Sequence, residues 1–323
     1  MNLQNKKILV TGGCGAIGSN LIQSLLNKGC KEIHVVDDLS SGYIENLQDT
    51  PHVTFTKGCI TDDALLKDIF KEKPDIVFHL AARFANQNSV ENPIEDLNTN
   101  SLGTLKLLNH SVIADVKKFI YTSSSCVYGN KEGELSESDV YFQLDTPYAI
   151  SKLTGEYYVR FFQSFHGLNT VILRYFNSYG PGERPGRYRN VIPNFIHKAM
   201  NSEQLIITGN GNETRDFTYA ADAVDATIKS CEKEEAIGGI FNIGNGKETS
   251  IIELADEINK LTENTRKIEF LPRRSWDHVL RRKANIARAQ IILGYIPKIS
   301  LQEGLKKTVE WFENQNIKTF AYK

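Results

Sequence analysis

The stretch VTGGCGAIGSNL, Val10 to Leu21, decides how the rest of the chain is read. Gly12, Gly15 and Gly18 recur at every third position between a short apolar run, Lys6–Thr11, and a helical pattern. In that pattern Ile17, Leu21, Ile22, Leu25 and Leu26 recur at helical spacing, and Gly29 stops it. Glycines at such a junction let the backbone turn tightly and approach a pyrophosphate held at the helix N-terminus, which Ala16 and Ile17 open. A second apolar run, EIHVVDD, ends in Asp37 and Asp38, with Asp37 19 residues after Gly18. A carboxylate at that spacing suits the adenosine ribose hydroxyls and repels a 2′-phosphate, so the pattern predicts NAD rather than NADP.

Further apolar runs follow at HVTFTKG, DIVFHLAA, KKFIYTS and NTVILRY. Helical patterns lie between them, over Asp62–Lys71, Pro93–Asp115 and Pro147–His166. The runs are nearly continuous and read as strands buried on both faces, as in parallel sheets. Their alternation with helices predicts an α/β fold, a doubly wound parallel (Rossmann-like) sheet. After about Asn177 the loops lengthen and the strands shorten, with helices expected over Val191–Asn201, Ala220–Lys233, Ser250–Leu261 and Leu301–Asn314. The expected division is an NAD-binding domain over residues 1–176 and a smaller C-terminal α/β substrate lobe over residues 177–323. Residues 213–245 are expected to return in part to the main sheet through GIFNIG, and a cleft is expected between the lobes.

Bulk properties narrow the class. The 323 residues carry a net charge of -1, with 41% apolar and 24% charged residues. That balance gives no electrostatic footprint for nucleic acid or an anionic membrane. The five cysteines, Cys14, Cys30, Cys59, Cys126 and Cys231, are widely spaced with no C-x-x-C. This argues against a disulfide framework and against a metal site, and for a reducing compartment. No run is long enough to span a bilayer, and the N-terminus is no signal peptide. The expectation is a cytoplasmic protein with no metal.

Two stretches bear chemistry. In SSSCVYG, Ser123 to Gly129, a serine cluster and Cys126 follow an apolar strand. A nucleophile elbow would need G-x-S-x-G, which is missing. In TPYAISKLTGE, Tyr148 and Lys152 lie four apart and share a helix face. An ammonium beside a phenol lowers the phenol pKa from its usual value of about 10, which predicts Tyr148 as a base near neutral pH. His79 in FHLAA is read as a structural histidine, and Cys14, Cys59 and Cys126 as small apolar fillers.

With TGGCGAIG, HLAA, SSSCVYG, YAISK and RYFNSYGPG in this order, the chain resembles the extended short-chain dehydrogenase/reductase superfamily. Within it the chain is similar to the nucleotide-sugar epimerase/dehydratase group, from residue 6 to about residue 300. The resemblance implies a catalytic set of Ser124, Tyr148 and Lys152, with Tyr148 as base and Lys152 on the nicotinamide ribose. It implies cofactor contacts from Ile60, Leu80, Ala81 and Ala82, and support from Asn100. It implies substrate contacts from Ser124, Ser125, Tyr148, Asn177, Val191 and Arg215, together with Asp277 and either Arg281 or Arg282, of which Arg281 is taken as the candidate. One of Arg184, Arg187 and Arg189 is expected to meet the substrate. A homodimer built from Pro93–Asp115 and Pro147–His166 is implied as well.

Two departures from the group stand out. Cys59 replaces the aspartate that touches adenine in relatives. Ser125-Cys126 replaces the Asp-Glu pair of the 4,6-dehydratases, and Cys126 the glutamate of the UDP-glucuronate decarboxylases. Without those carboxylates the simplest reaction is transient oxidation and inversion at C4. The expected function is therefore an NAD-dependent nucleotide-sugar 4-epimerase of the UDP-hexose type. A dehydratase or decarboxylase of the same group is the alternative. A non-catalytic NAD-binding regulator is the alternative of another class; it has no need of Tyr148 and Lys152, and both are present.

Overall fold

Parallel pairing joins seven strands into the main sheet of the computed structural model, which describes residues 1–47, 52–139 and 143–315. The end of the expected second lobe, residues 316–323, lies outside the described residues. The strands are β1 (Lys7–Thr11), β2 (Glu32–Asp37), β3 (Val53–Lys57), β4 (Ile76–His79), β5 (Lys118–Ser124), β6 (Thr170–Tyr175) and β7 (Ile240–Ile243). Their spatial order is β7-β6-β5-β4-β1-β2-β3, all parallel. The order reverses direction between β1 and β4, which opens a crevice at the carboxyl ends of these strands. This is the doubly wound α/β sheet expected from the sequence.

Burial follows position in the sheet. β1, β2, β4 and β5 are almost wholly buried. β3, at one edge of the sheet, is the exception to the reading of strands buried on both faces: none of its residues is fully buried. DIVFHLAA is strand only over Ile76–His79, and Leu80–Ala82 leave the ladder to line the crevice. GIFNIG returns to the main sheet as β7, pairing Ile240–Ile243 with Ile172–Tyr175.

Helix ends follow local chemistry. In Pro147–His166 the Thr146 side chain accepts the Ala149 amide, Pro147 takes the first turn, and Gly167 closes the helix at φ 69°. Ser250 and Glu253 form a reciprocal capping box on Ile251–Leu261. The expected helix Pro93–Asp115 is interrupted. Its middle, Leu97–Gly103, is a π-helical stretch between Pro93–Asp96 and Thr104–Ile113.

Three large cores result. One lies on one face of the sheet and takes in Ala223–Ile228 residues, Phe241, Ile243 and Tyr295 as well as the first strands. The second, with Leu107, Phe119, Val159 and Phe162, covers the opposite face. The third, with Phe195, Ile196, Leu254, Ile258, Leu305 and Phe312, belongs to the C-terminal helices. There QLIIT and KIEFL pair with each other, Ile206–Thr208 alongside Glu269–Leu271. Among the described residues no helix is long and apolar enough to cross a membrane.

Candidate active site

The crevice is a single cleft of about 760 Å³ that runs from the glycine turn, past the end of β5, to the C-terminal helices. Its first end is built by backbone. Gly12 adopts φ +73°, and a Cβ there would stand 2.6 Å from the Ala81 amide nitrogen. A Cβ on Gly18 would stand 2.3 Å from the Gly12 carbonyl oxygen. Glycine is thus the one residue that lets this turn close against the strands and the following helix. The helix Ala16–Asn27 has no side-chain cap and no acidic residue in its first turn. Its opening amides and positive end suit a pyrophosphate.

Asp37 sits beside this turn and is buried. Its oxygens accept the Cys14 amide at 3.0 Å and the Leu39 amide at 2.9 Å. Burial raises its pKa, and the two amides oppose that shift. The carboxylate therefore fastens the second strand to the glycine turn as well as facing the cleft. Asp38, Cys59, Ile60, Leu80, Ala81 and Ala82 line the same end. The nearest acid in sequence, Asp62, is spent capping the helix Asp63–Phe70.

The middle of the cleft holds Ser124, Ser125, Cys126, Tyr148 and Lys152. Ser124 ends β5, and its hydroxyl accepts the Cys126 amide at 3.2 Å, capping the short turn Ser125–Tyr128. That cap swings the next residues into the cleft. Tyr148 and Lys152 come from the first two turns of Pro147–His166, both buried. The Lys152 ammonium lies 4.7 Å from the centre of the Tyr121 ring. Burial lowers Lys152 to about 8, against the raising influence of Asp96 and Glu156.

The Tyr148 phenol departs from expectation. Burial raises its pKa well above the ordinary value, Cys126 adds to this, and the Ser124 hydroxyl opposes it. The lysine was expected to lower it. In the chain alone desolvation outweighs any such help, because a buried phenolate loses its water.

The geometry places two further candidates: Asn100 supports the site from beneath, and Arg281 lies outside the cleft. Asn100 is buried and does not line the cleft. Its side chain clamps the Arg83 backbone at 2.8 and 3.1 Å, and donates to Asp96 and Ser151. It positions the π-helical stretch beneath Pro147–His166 instead of reaching a ligand. Arg281 points out of the cleft, paired with Glu248 at 2.6 Å on the surface. Its neighbour Arg282 lines the cleft and is buried. The short strand Arg282–Ala284 alternates its side chains, so the buried Ala284 and Arg282 share the inward face and Arg281 takes the outward one.

Asn177, Val191, Arg215 and Asp277 all line the C-terminal part of the cleft. Arg215 pairs with Asp277 at 3.4 Å. The three arginines of the 184–189 loop close this loop onto neighbours: Arg184 over the Tyr43 ring, Arg187 on Glu91, and Arg189 on the Ser41 carbonyl. Asn86 was not anticipated. Its carbonyl accepts the Thr146 hydroxyl at 2.9 Å, which turns its amide nitrogen to Cys126 at 3.7 Å. Thr146-Pro147 is a helix-start signature, and the partner of such a cap was the available clue. His79 is structural, as read: it bridges the Thr11 and Thr104 hydroxyls at 2.8 Å each, and burial holds its pKa well below the usual value.

The site thus offers a nucleotide-binding turn, a phenol with a hydroxyl and an ammonium, and a cationic far end. Comparison with known proteins agrees with that layout. Residues 8–244 match the family model described as NAD dependent epimerase/dehydratase family. A solved epimerase of Methanothermobacter thermautotrophicus is similar at 45% identity and a TM-score of 0.97, covering 99% of this chain and 96% of that one. A UDP-glucose 4-epimerase of Thermotoga maritima, solved with UDP-glucose, is similar at 35% identity and a TM-score of 0.90, covering 96% and 99%. A UDP-N-acetyl-alpha-D-glucosaminuronate decarboxylase of Bacillus cytotoxicus is 35% identical over 320 residues, 95% of this chain and 98% of that one. Glycine turn, paired Tyr148 and Lys152, sheet order and full-length similarity converge, and the chain belongs to the NAD-dependent epimerase/dehydratase family.

Proposed function

We propose that the protein is an NAD-dependent nucleotide-sugar 4-epimerase acting on a UDP-linked hexose. The observation that carries this reading is the wall beside Tyr148. Ser124, Ser125 and Cys126 stand there with no carboxylate, next to a phenol and an ammonium. Removing water from C5 and C6 needs an acid and a base at that wall, and Ser124, Ser125 and Cys126 carry no carboxylate to supply them. The similarity to UDP-sugar 4-epimerases supports the same reading.

NAD, when bound, supplies the hydride acceptor for C4 and a positive charge. Tyr148 takes the proton of the C4 hydroxyl, and Ser124 orients that hydroxyl and donates to the phenolate. Lys152 lends charge to the phenolate and holds the nicotinamide ribose. The 4-keto sugar presents its other face, the hydrogen returns to C4, and Tyr148 gives the proton back. Asn177 and Arg215 hold the substrate diphosphate, Asp277 reaches the nucleotide and Val191 lines the same end, and the chain's contribution is orientation and charge placement.

The five free cysteines suit a cytoplasmic setting. We also assign residues 1–176 to cofactor binding and 177–323 to the sugar nucleotide, with Ala220–Glu232 and β7 serving the first unit. The exposed apolar residues Ile94, Leu97, Ile113, Ile150, Tyr157, Phe161 and Phe165 support a homodimer through Pro93–Asp96, Thr104–Ile113 and Pro147–His166. Incubation of UDP-glucose, UDP-N-acetylglucosamine and UDP-glucuronate with the enzyme and NAD, followed by NMR, tests the activity. Appearance of a C4 epimer supports it; a 4-keto-6-deoxy product or released carbon dioxide sinks it.

A further inference from the structure

Arg282 lines the cleft. It is only 7% exposed, yet among the described residues it makes no ion pair with a carboxylate. Its guanidinium donates to the Gly129 carbonyl and lies 4.0 Å from the Cys126 sulfur. Its Nε is buried with no hydrogen-bond partner. A buried cation without a counter-charge is costly, so a site that keeps one is built to receive an anion.

The surroundings say where that anion sits. Cys126 follows Ser124 by two residues and lines the cleft together with Tyr148. Asn86 turns its amide nitrogen to the same sulfur at 3.7 Å. This wall therefore offers donors, Arg282 and Asn86, on the side of the reacting sugar. The nearby carboxylates are already engaged: Asp145 accepts from Asn130, and Asp277 pairs with Arg215 and Arg273. Arg215, with its own carboxylate, and Arg274 also line the cleft and remain for the diphosphate. Arg282 lies between Gly129 and Cys126.

We propose that Arg282, with Asn86, reads a carboxylate on the sugar itself, so that the substrate is an acidic nucleotide sugar of the uronate class. This rests on the nucleotide-sugar reading of the cleft and names its substrate class. Cys126 fits the assignment: with a thiol at that position, no carboxylate from residue 126 competes for Arg282. The small thiol leaves the guanidinium available.

Binding of UDP, UDP-glucose and UDP-glucuronate to the NAD-loaded enzyme by calorimetry tests the proposal, with R282M and R282K as variants. The wild type binds UDP-glucuronate tighter than UDP-glucose. Arg282→Met lowers UDP-glucuronate affinity by about 100-fold, the scale of stripping a buried charge of its partner. Its affinity for UDP falls less than about threefold, since rim contacts elsewhere carry the diphosphate. Arg282→Lys keeps part of the preference, which guards against a misfolded methionine variant. An equal loss of UDP and UDP-glucuronate affinity would make Arg282 a diphosphate contact and overturn the proposal. So would a wild type that prefers UDP-glucose. Product NMR separates the two layers. A uronate consumed with loss of carbon dioxide overturns the epimerase reading and leaves Arg282 standing. Epimerised neutral sugars with no uronate binding do the reverse.

Discussion

Arg174 and Glu156 meet beneath the serine cluster in a two-pronged ion pair, Nε to Oε1 at 2.9 Å and Nη2 to Oε2 at 2.7 Å. Both side chains are buried, and the Ser123 hydroxyl donates to the same carboxylate at 2.6 Å. Arg174 lies one residue before the end of β6, Ser123 one before the end of β5, and Glu156 comes from Pro147–His166. The pair therefore ties the helix bearing Tyr148 and Lys152 to the strand end bearing Ser124. Glu156→Ala leaves a buried guanidinium uncompensated and should cost about 3–5 kcal/mol. Urea denaturation measures this. The double change Glu156→Leu with Arg174→Met should recover much of the loss, while a single mutant as stable as the wild type would show that the pair does not hold the site together.

Tyr148→Phe removes the proton acceptor and leaves the ring in place. It should lower kcat by about 1,000-fold, within the range for a positioned acid or base, with UDP affinity retained. Stopped assays with calorimetry check both. A variant with more than a tenth of wild-type kcat would assign the proton transfer elsewhere.

Lys152 gives a pH dependence of defined sign. Burial holds its folded pKa at about 8, below the unfolded value of about 10.4. Between those values the unfolded chain binds a proton that the folded chain has lost, so stability rises with pH across that window. Below it, the buried ammonium is a cost. Activity runs the other way: kcat/KM should fall as pH passes about 8, because the charge beside the phenol is lost. Lys152→Met should be slow and show no such limb. A wild-type profile that stays flat from pH 7 to about 10 would contradict the assignment, since free lysine titrates near 10.4.

Much of this was legible in the sequence because a few residues must do one thing. Only glycine fits at Gly12 and Gly18, where a Cβ would meet backbone at 2.6 and 2.3 Å. Tyr148 and Lys152 share a helix face, and Thr146-Pro147 fixes where that helix starts. The rest was hidden where a choice depended on tertiary contacts. Arg281 and Arg282 are adjacent and chemically identical, and only the alternation of a three-residue strand decides which faces the cleft. The Tyr148 pKa depends on how deeply the phenol is buried, which spacing does not report. Asn100 lies in a motif, yet its side chain is consumed by Arg83, Asp96 and Ser151.

Gly12→Ala tests the turn. Alanine at φ +73° against the Ala81 backbone is strained, at a cost of about 1–3 kcal/mol from the backbone alone. The variant should unfold at lower urea and co-purify with less NAD, measured by absorbance after denaturation. Unchanged NAD content would argue that this turn does not carry the pyrophosphate.

Phe161 and Phe165 stack at 5.3 Å on the outer face of Pro147–His166, 50% and 72% exposed. Charge placed there should break a dimer that uses this face. Sedimentation of Phe161→Glu with Phe165→Glu should give a monomer where the wild type gives a dimer. A wild type that sediments as a monomer would remove the dimer from the account.

The central claim is inversion at C4 by removal and return of one hydrogen. It is tested most directly with a UDP-sugar deuterated at C4, followed by proton NMR in ordinary water. A C4 epimer that keeps its deuterium at C4 is expected, because the hydrogen never exchanges with solvent. A product that has lost carbon or water, or an epimer whose C4 deuterium has washed out, would contradict it.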